Sequence, residues 1–366
     1  MAERLRVGIL FGGRSGEHQV SVVSAASVAA ALDPERYEVV PIGITAEGNW
    51  LPGVHPRRLL EGGDSQVKAQ AGEAGSTGGS ALLSAADNQG RLLAGLHERL
   101  DVIFPVLHGP YGEDGTVQGL LELADIPYVG AGVLASAVGM DKGLMKAVFR
   151  QAGLPVPAYL LFLRKEWETS PSSVERRIGE EIGYPCFVKP ANLGSSVGIS
   201  KVHRAGELAE AMNLACAYDR RLVVEEAISG RELECGVLGN DEPIASVPGE
   251  IVPCEEFYSY NAKYVLQDSK LHIPAPVPPG VAARVQDLAV RAFKAVDGSG
   301  LARVDFFLRG EEELLVNEIN TMPGFTSISM YPKLWEASGV SYRQLVDRLI
   351  ELALERHADR ARSRIL

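Results

Sequence analysis

The sequence predicts a mixed α/β and α+β protein, and three observations carry this. The chain opens as β-α-β: the apolar run LRVGILFGG at 5–13 ends in paired glycines, Ala-rich VSVVSAASVAAAL at 20–32 stops at Asp33-Pro34, and YEVVPIGIT follows at 37–45. Near the carboxy end, ARVDFFLRGEEELLVNEIN at 302–320 reads as two β-rich runs flanking RGEE, a hairpin. The length, 366 residues, suits two or three domains at ~150 residues each.

The remaining elements follow in chain order. DVIFPVLHG at 101–109 is a buried strand, TVQGLLELAD a short helix and IPYVG another strand. DKGLMKAVFRQAG at 141–153 is a helix with Asp141 as N-cap and Gly153 at its end. GLPVPAY at 153–159 is an inter-domain linker. CFVKPANLGSSVGISKV at 186–202 is a strand, a Gly/Ser loop and a second strand. YRQLVDRLIELALERHADRA is a terminal helix with apolar residues at helical spacing. The Gly/Ser/Ala-rich stretch 61–90 keeps no periodicity and reads as a surface insertion. These elements divide the chain at 1–140, 141–224 and 225–366, with a lid loop at about 254–272.

Composition narrows the function. A net charge of −11 disfavours nucleic acid and anionic membrane surfaces as partners. The four cysteines, Cys186, Cys216, Cys235 and Cys254, form no C-x-x-C and suit a reducing compartment. The N-terminus has too short an apolar run for a signal peptide, and no run is long enough for a membrane helix. The expectation is a cytoplasmic protein. GAGVLA at 130–135 mimics a dinucleotide fingerprint, but no acid follows at the ribose position, so tight strand–helix packing is preferred to hydride chemistry.

Several stretches can carry chemistry. If Glu311 and Glu312 form the hairpin turn, Asp305 lies opposite Glu318 and Arg303 opposite Asn320, all on one face. Two carboxylates and an amide oxygen suit Mg²⁺, and the arginine can neutralise developing negative charge. In the 186–202 loop, Gly194 and Gly198 let the backbone fold over a phosphate, with Ser195, Ser196 and Lys189 as donors; a plain hairpin also uses such residues. No G-x-x-x-x-G-K-[ST] occurs, so this cradle is not a P-loop. GGRSGEHQVS at 12–21 places Glu17 and His18 at the mouth of the first strand, and HGPYGEDG at 108–115 places His108, Glu113 and Asp114 at the end of another. TMPGFTS at 321–327 offers backbone N–H groups as an oxyanion donor, or is a plain loop. CEEFYSYNAKY at 254–264 reads as a lid or as an exposed aromatic contact.

Together these segments resemble the D-alanine–D-alanine ligases of the ATP-grasp superfamily. GGRSGEHQVS, HGPYGEDGTVQG, MDK, VKPANLGSSVGISKV, EEAISGRELECGVLG, FYSYNAKY and RVDFF…NEINTMPGFTS look like that family's signatures, in family order. The resemblance implies an ATP-grasp fold behind an N-terminal Rossmann-like (pre-ATP-grasp) domain, ATP as nucleotide, two Mg²⁺ ions that Mn²⁺ could replace, room for a monovalent cation, and a homodimer. It implies that Lys142 and Lys189 contact ATP, that Glu225, Glu226, Ala227 and Ile228 edge the adenine, that Glu232 takes the ribose and that Phe307 packs on the base. Asp305, Glu318 and Asn320 would bind metal. Arg303 and the Gly324 backbone would hold an oxyanion, and Lys263 would screen charge. Glu17, Val20 and His108 would bind a first D-alanine, and Ser329 with Lys263 the carboxylate of a second. Glu17, Ser195 and Tyr264 resemble a triad tying the N-terminal domain to the lid. The implied reaction, in peptidoglycan precursor synthesis, joins two D-alanines through a D-alanyl phosphate. Ser259 and Met322 depart from the usual pattern, outside the catalytic set. A D-alanine–D-lactate or other dipeptide ligase is the nearest alternative, and a catalytically silent ATP-binding regulatory module the one from another class.

Overall fold

The structure, a computed structural model, describes residues 4–56, 100–252 and 270–364. The insertion at 61–90 and most of the lid loop, with Cys254, Ser259, Lys263 and Tyr264, lie outside the described residues.

The opening segment builds a four-stranded sheet from β1 (Leu5–Gly12), β2 (Tyr37–Ile44), β3 (Trp50–Pro52) and β4 (Val102–Val106), in the order β3-β2-β1-β4. β1 runs parallel to both β2 and β4, with α1 (His18–Ala31) as the crossover. Every residue of β4 is buried, as expected of a parallel strand covered on both faces. The IPYVG segment falls short of a strand. It makes one bridge, Ile103 to Tyr128, because Pro127 has no N–H to extend a ladder and Gly130 turns away at φ +101°.

Gly12 ends β1 at φ +92°, where a Cβ would stand 2.1 Å from the Ile44 carbonyl oxygen. The turn that delivers Glu17 to the strand mouth therefore needs glycine on both grounds. Gly12→Ala should lose at least ~1 kcal/mol of stability, read as a lower urea midpoint; an unchanged midpoint would show that the turn can re-form another way.

After α2 (Thr116–Leu123) and α3 (Val133–Met140), α4 (Lys142–Gln151) starts on the predicted cap. Asp141 accepts from the N–H groups of Gly143 at 3.0 Å and Leu144 at 2.9 Å. The GAGVLA stretch is a packing motif, with the Gly130 backbone within about 3.1–3.2 Å of where a Gly300 Cβ would stand.

The middle of the chain forms an antiparallel sheet, β5-β8-β6-β7, from β5 (Tyr159–Leu163), β6 (Cys186–Pro190), β7 (Ser200–Val202) and β8 (Arg221–Glu226). Helices α5 (Arg164–Thr169), α6 (Pro171–Glu181) and α7 (Leu208–Tyr218) accompany it. β8 runs through residue 224 to Glu226, so the sequence-based division at that point falls inside a strand.

The last sheet has the order β12-β11-β9-β13-β14, with β10 on β9. Its strands are β9 (Arg231–Gly239), β10 (Ile244–Ala245), β11 (Gly249–Val252), β12 (Lys270–His272), β13 (Gly300–Arg309) and β14 (Glu313–Asn320). α8 (Pro279–Ala295) packs on it, and α9 (Met330–Ala337) and α10 (Tyr342–Arg360) follow. α10 returns to the first domain, where Leu345, Val346, Leu349 and Leu352 share one core with Val7, Phe11 and Phe104.

The β13–β14 hairpin has the predicted pairing at its root and a different one at its tip. Arg303 faces Asn320 and Asp305 faces Glu318, but Phe306 faces Val316 and Arg309 faces Glu313. The turn is therefore three residues, 310–312, and Asn317 is the extra residue of a β-bulge. A two-residue turn would have put Asn317 opposite core Phe306 and turned Leu314 and Val316 outward. Burial decides against it: Leu314 is 1% and Val316 0% exposed.

Among the described residues, Cys186, Cys216 and Cys235 are free thiols, and no helix is long and apolar enough to cross a membrane.

Candidate active site

Two cavities meet between the three sheets. One, of about 560 Å³, is lined by Glu17, Val20, His108, Ser195, Gly324 and Ser329. The other, of about 520 Å³, is lined by Lys189, Ser196, Glu225, Glu232, Asp305 and Phe307. Lys142, Ser195, Arg303 and Glu318 line both. A group bound in one can therefore react with a group bound in the other.

In the first cavity, Glu17 sits at the mouth of β1 and accepts a hydrogen bond from Ser195 Oγ at 2.5 Å. The loop carrying Ser195 arches over from the middle sheet. Ser195 and Ser196 both take positive φ, +51° and +59°, a conformation that costs L-residues ~1–3 kcal/mol each. His108 is buried, its Nδ1 3.0 Å from the Met322 carbonyl oxygen and 3.9 Å from Glu113. Burial opposes a charge on its ring, but the Glu113 carboxylate outweighs this, helped by Glu17 and the Met322 carbonyl, and the pKa lies above the usual value. His108 Nε2 is buried with no hydrogen-bond partner among the described residues, a donor or acceptor in want of a ligand. Gly324 and Ser329 lie side by side: a Cβ on Gly324 would come within 3.0 Å of Ser329 Oγ. That hydroxyl also lies 2.7 Å from Thr326 Oγ1.

In the second cavity, β6 and β8 bring Lys189 into contact with Glu225. Lys146 reaches the other oxygen of Glu225 at 3.1 Å. Burial pushes Lys189 down to about 7, with the Lys146 ammonium adding to it, and Lys146 down to about 8. The Glu318 carboxylate works the other way on both, and Glu225, in contact with each ammonium, also favours the charged form. Glu226 is engaged elsewhere. Its side chain accepts from the Ala158 N–H at 2.8 Å and pairs with Arg309 at 2.8 Å, and its own N–H donates to the Ala158 carbonyl at 3.0 Å. Ala227 and Ile228 follow on the cavity wall. Glu232 and Phe307 are partners in register across β9 and β13.

At the shared wall, Arg303 makes a two-pronged hydrogen bond to Asp305, 2.7 Å on each arm, and lies 3.0 Å from Glu234. Those carboxylates keep the guanidinium charged despite burial. Glu318 stands 3.9 Å from Lys142, whose Nζ donates to the Leu193 carbonyl at 2.5 Å. Asn320 Oδ1 accepts from the Met322 N–H at 3.3 Å, which fixes the orientation of the amide.

The donor set fits Mg²⁺. Asp305, Glu318 and Asn320 offer hard oxygens from one sheet face, and each carboxylate oxygen bonded to Arg303 keeps further lone pairs. Among the described residues no three His, Cys, Asp or Glu groups gather as a metal site. An ion here would complete its shell with water and phosphate oxygens.

Comparison with known proteins places the chain. Residues 6–131 match the family model described as D-ala D-ala ligase N-terminus, and residues 148–351 match D-ala D-ala ligase C-terminus. The chain belongs to the D-alanine–D-alanine ligase family. A D-alanine–D-alanine ligase of Bacillus velezensis is 52% identical over 353 residues, 96% of this chain and 98% of the relative. One from Chloroherpeton thalassium is 52% identical over 357 residues, 97% of this chain and 98% of the relative. The solved D-alanine–D-alanine ligase of Coxiella burnetii superposes with a TM-score of 0.83 at 39% identity, covering 98% of this chain and 97% of its own. VanG, a D-Ala:D-Ser ligase of Enterococcus faecalis, superposes at 0.82 with 36% identity, covering 96% of this chain and 100% of its own. The fold is thus the ATP-grasp fold of these ligases, and the chain is an enzyme of this class.

Sequence reasoning missed one residue that lines both cavities of this ligase family member, Glu234, and one buried beneath them, Lys146. Glu234, two positions after Glu232 on β9, shares its face and holds Arg303; the alternation in RELEC was the signal. Lys146, one helical turn after Lys142, shares that residue's face of α4.

Proposed function

We propose that the chain joins two D-alanines into D-alanyl-D-alanine at the expense of ATP, releasing ADP and phosphate, for peptidoglycan precursors. The wall common to both cavities supports this reading: the two share an arginine and a carboxylate, so a nucleotide in one and an amino acid in the other would meet there. ATP would lie in the second cavity, its base against Phe307 and the 225–228 edge, its ribose at Glu232, its phosphates under Ser195, Ser196, Lys142 and Lys189. The first D-alanine would place its ammonium at Glu17, near the Val20 backbone and His108. Ser329 would take the carboxylate of the second, together with Lys263.

The reaction has two steps. The carboxylate of the first D-alanine attacks the γ-phosphorus, and the bond to the β,γ-bridging oxygen breaks, leaving ADP. The amine of the second D-alanine then attacks the acyl carbon of the D-alanyl phosphate; it loses a proton and phosphate departs. Arg303 and the Gly324 N–H would hold the oxyanion of that second step. Two Mg²⁺ ions held by Asp305, Glu318 and Asn320 would supply charge neutralisation on the triphosphate. Water would hydrolyse the acyl phosphate, so closure matters, and we assign it to the Glu17–Ser195–Tyr264 triad and the lid at about 254–272. The same reading places the enzyme in the cytoplasm as a homodimer.

Phosphate release from ATP, Mg²⁺ and D-alanine, with mass analysis of the product and D-lactate, D-serine and L-alanine as competitors, tests this. Release without a D-Ala–D-Ala mass overturns the substrate assignment. Ser195→Ala should raise the KM for D-alanine about tenfold, the effect of losing one hydrogen bond to a charged group, ~1.5 kcal/mol. An unchanged KM would remove Ser195 from the triad.

A further inference from the structure

The bulge in the β13–β14 hairpin poses an accounting problem. An extra residue leaves the ladder locally disrupted, and a buried carbonyl without a partner is unfavourable. The bulged residue is Asn317, next to Glu318. Its carbonyl accepts a hydrogen bond from Lys146 Nζ at 3.0 Å. The same ammonium lies 3.1 Å from Glu225 Oε2, and both side chains are 1% exposed.

Lys146 is placed for this by its helix. Asp141 caps α4, so the helix frame is fixed from its first turn, and α4 packs against both β8 and β14. β8 carries Glu225 in the middle sheet, and β14 carries the bulge in the last sheet. One lysine thus bridges the two sheets beneath the nucleotide cavity. An apolar residue of the same length could fill the space, yet the chain buries a cation there and gives it a carboxylate on one side and a backbone oxygen on the other. A buried charge is retained at a desolvation cost, and here its two contacts are an adenine-side group and the residue beside a metal-side carboxylate.

We propose that Lys146 is a positioning residue that fixes the adenine-side carboxylate Glu225 and the bulge beside Glu318 relative to each other, so that base and metal–phosphate are gripped in one geometry. The proposal rests on the ligase reading above. It distinguishes Lys146 from Lys142 and Lys189: Lys146 does not line either cavity.

The test is ADP binding by calorimetry, with and without Mg²⁺, on the wild type, Lys146→Met and Lys146→Arg. In Lys146→Met the gain in ADP affinity conferred by Mg²⁺ should shrink about tenfold, the lower range for removing a group that orients a metal ligand. The Mg²⁺ concentration for half-maximal phosphate release should rise in parallel, with the KM for D-alanine within about twofold of wild type. Lys146→Arg keeps charge and donors and should recover most of the gain. If space filling alone mattered, bulkier arginine would be worse than methionine, and that result overturns the proposal. So does an equal Mg²⁺ gain in Lys146→Met and wild type. Should Lys146→Met fail to fold, Lys146→Met/Glu225→Gln neutralises the carboxylate, which would otherwise keep only Lys189, and must still show the reduced Mg²⁺ gain; failure of both to fold assigns Lys146 to folding alone and also overturns it. Wild-type enzyme without D-alanine-dependent phosphate release would instead sink the ligase reading.

Discussion

Glu318→Gln should lower kcat by ~10²–10³, the scale of losing one preorganised electrostatic contact at a site of developing charge, and leave the fold intact. The substitution keeps volume and removes charge. Glu318 is 30% exposed on its side chain, so a neutral amide there stays partly solvated. Its position opposite Asp305 makes it one of two facing carboxylates on the wall of the second cavity, where the proposed function puts the ATP phosphates. Without it, the triphosphate gains a less well-held counter-ion, and Lys142, 3.9 Å away, loses its acidic neighbour. Single-turnover phosphate release, alongside a urea midpoint, separates chemistry from folding. Near-normal turnover would refute the ligand role.

Arg303→Met should have the second large effect, on stability and rate together. Arg303 stands between Asp305 and Glu234, and all three side chains are at most 16% exposed. Its removal leaves two carboxylates buried without their cation, at a cost of ~3–5 kcal/mol. Arg303→Lys tests the catalytic part separately. Lysine restores a charge but not the planar two-pronged grip, so most of the stability should return while kcat stays ~10²-fold low, as for loss of an oriented oxyanion donor. A Lys variant with wild-type kcat would mean that charge alone suffices and that the fork geometry has no part in holding the oxyanion.

What could be read from sequence was whatever depends on local pattern. The β-α-β opening, the Asp141 cap and the R-x-D…E-x-N face rest on periodicities of two and 3.6 residues, and the structure has each of them. What could not be read was set by contacts distant in sequence. The turn of the β13–β14 hairpin depends on which of Val316 and Asn317 the core accepts, a matter for the packing partners of Val316 rather than for the turn residues. Lys146 looks like any lysine on an amphipathic helix until Glu225 and Asn317 are brought to it from other sheets. α10 looks like a tail of the last domain, yet its apolar face completes the core of the first.

The three-residue turn at 310–312 is exposed at every position, and the core locks the strand pairs behind it before the chain reaches Asp305 and Glu318. The tip of this hairpin is therefore separated from Asp305 and Glu318, the proposed metal ligands, by core-packed strand pairs. A short peptide tag or a fluorophore attachment site spliced in there would ride on this hairpin without disturbing the strand pairs behind it, giving a reporter a few strand residues from the proposed metal ligands.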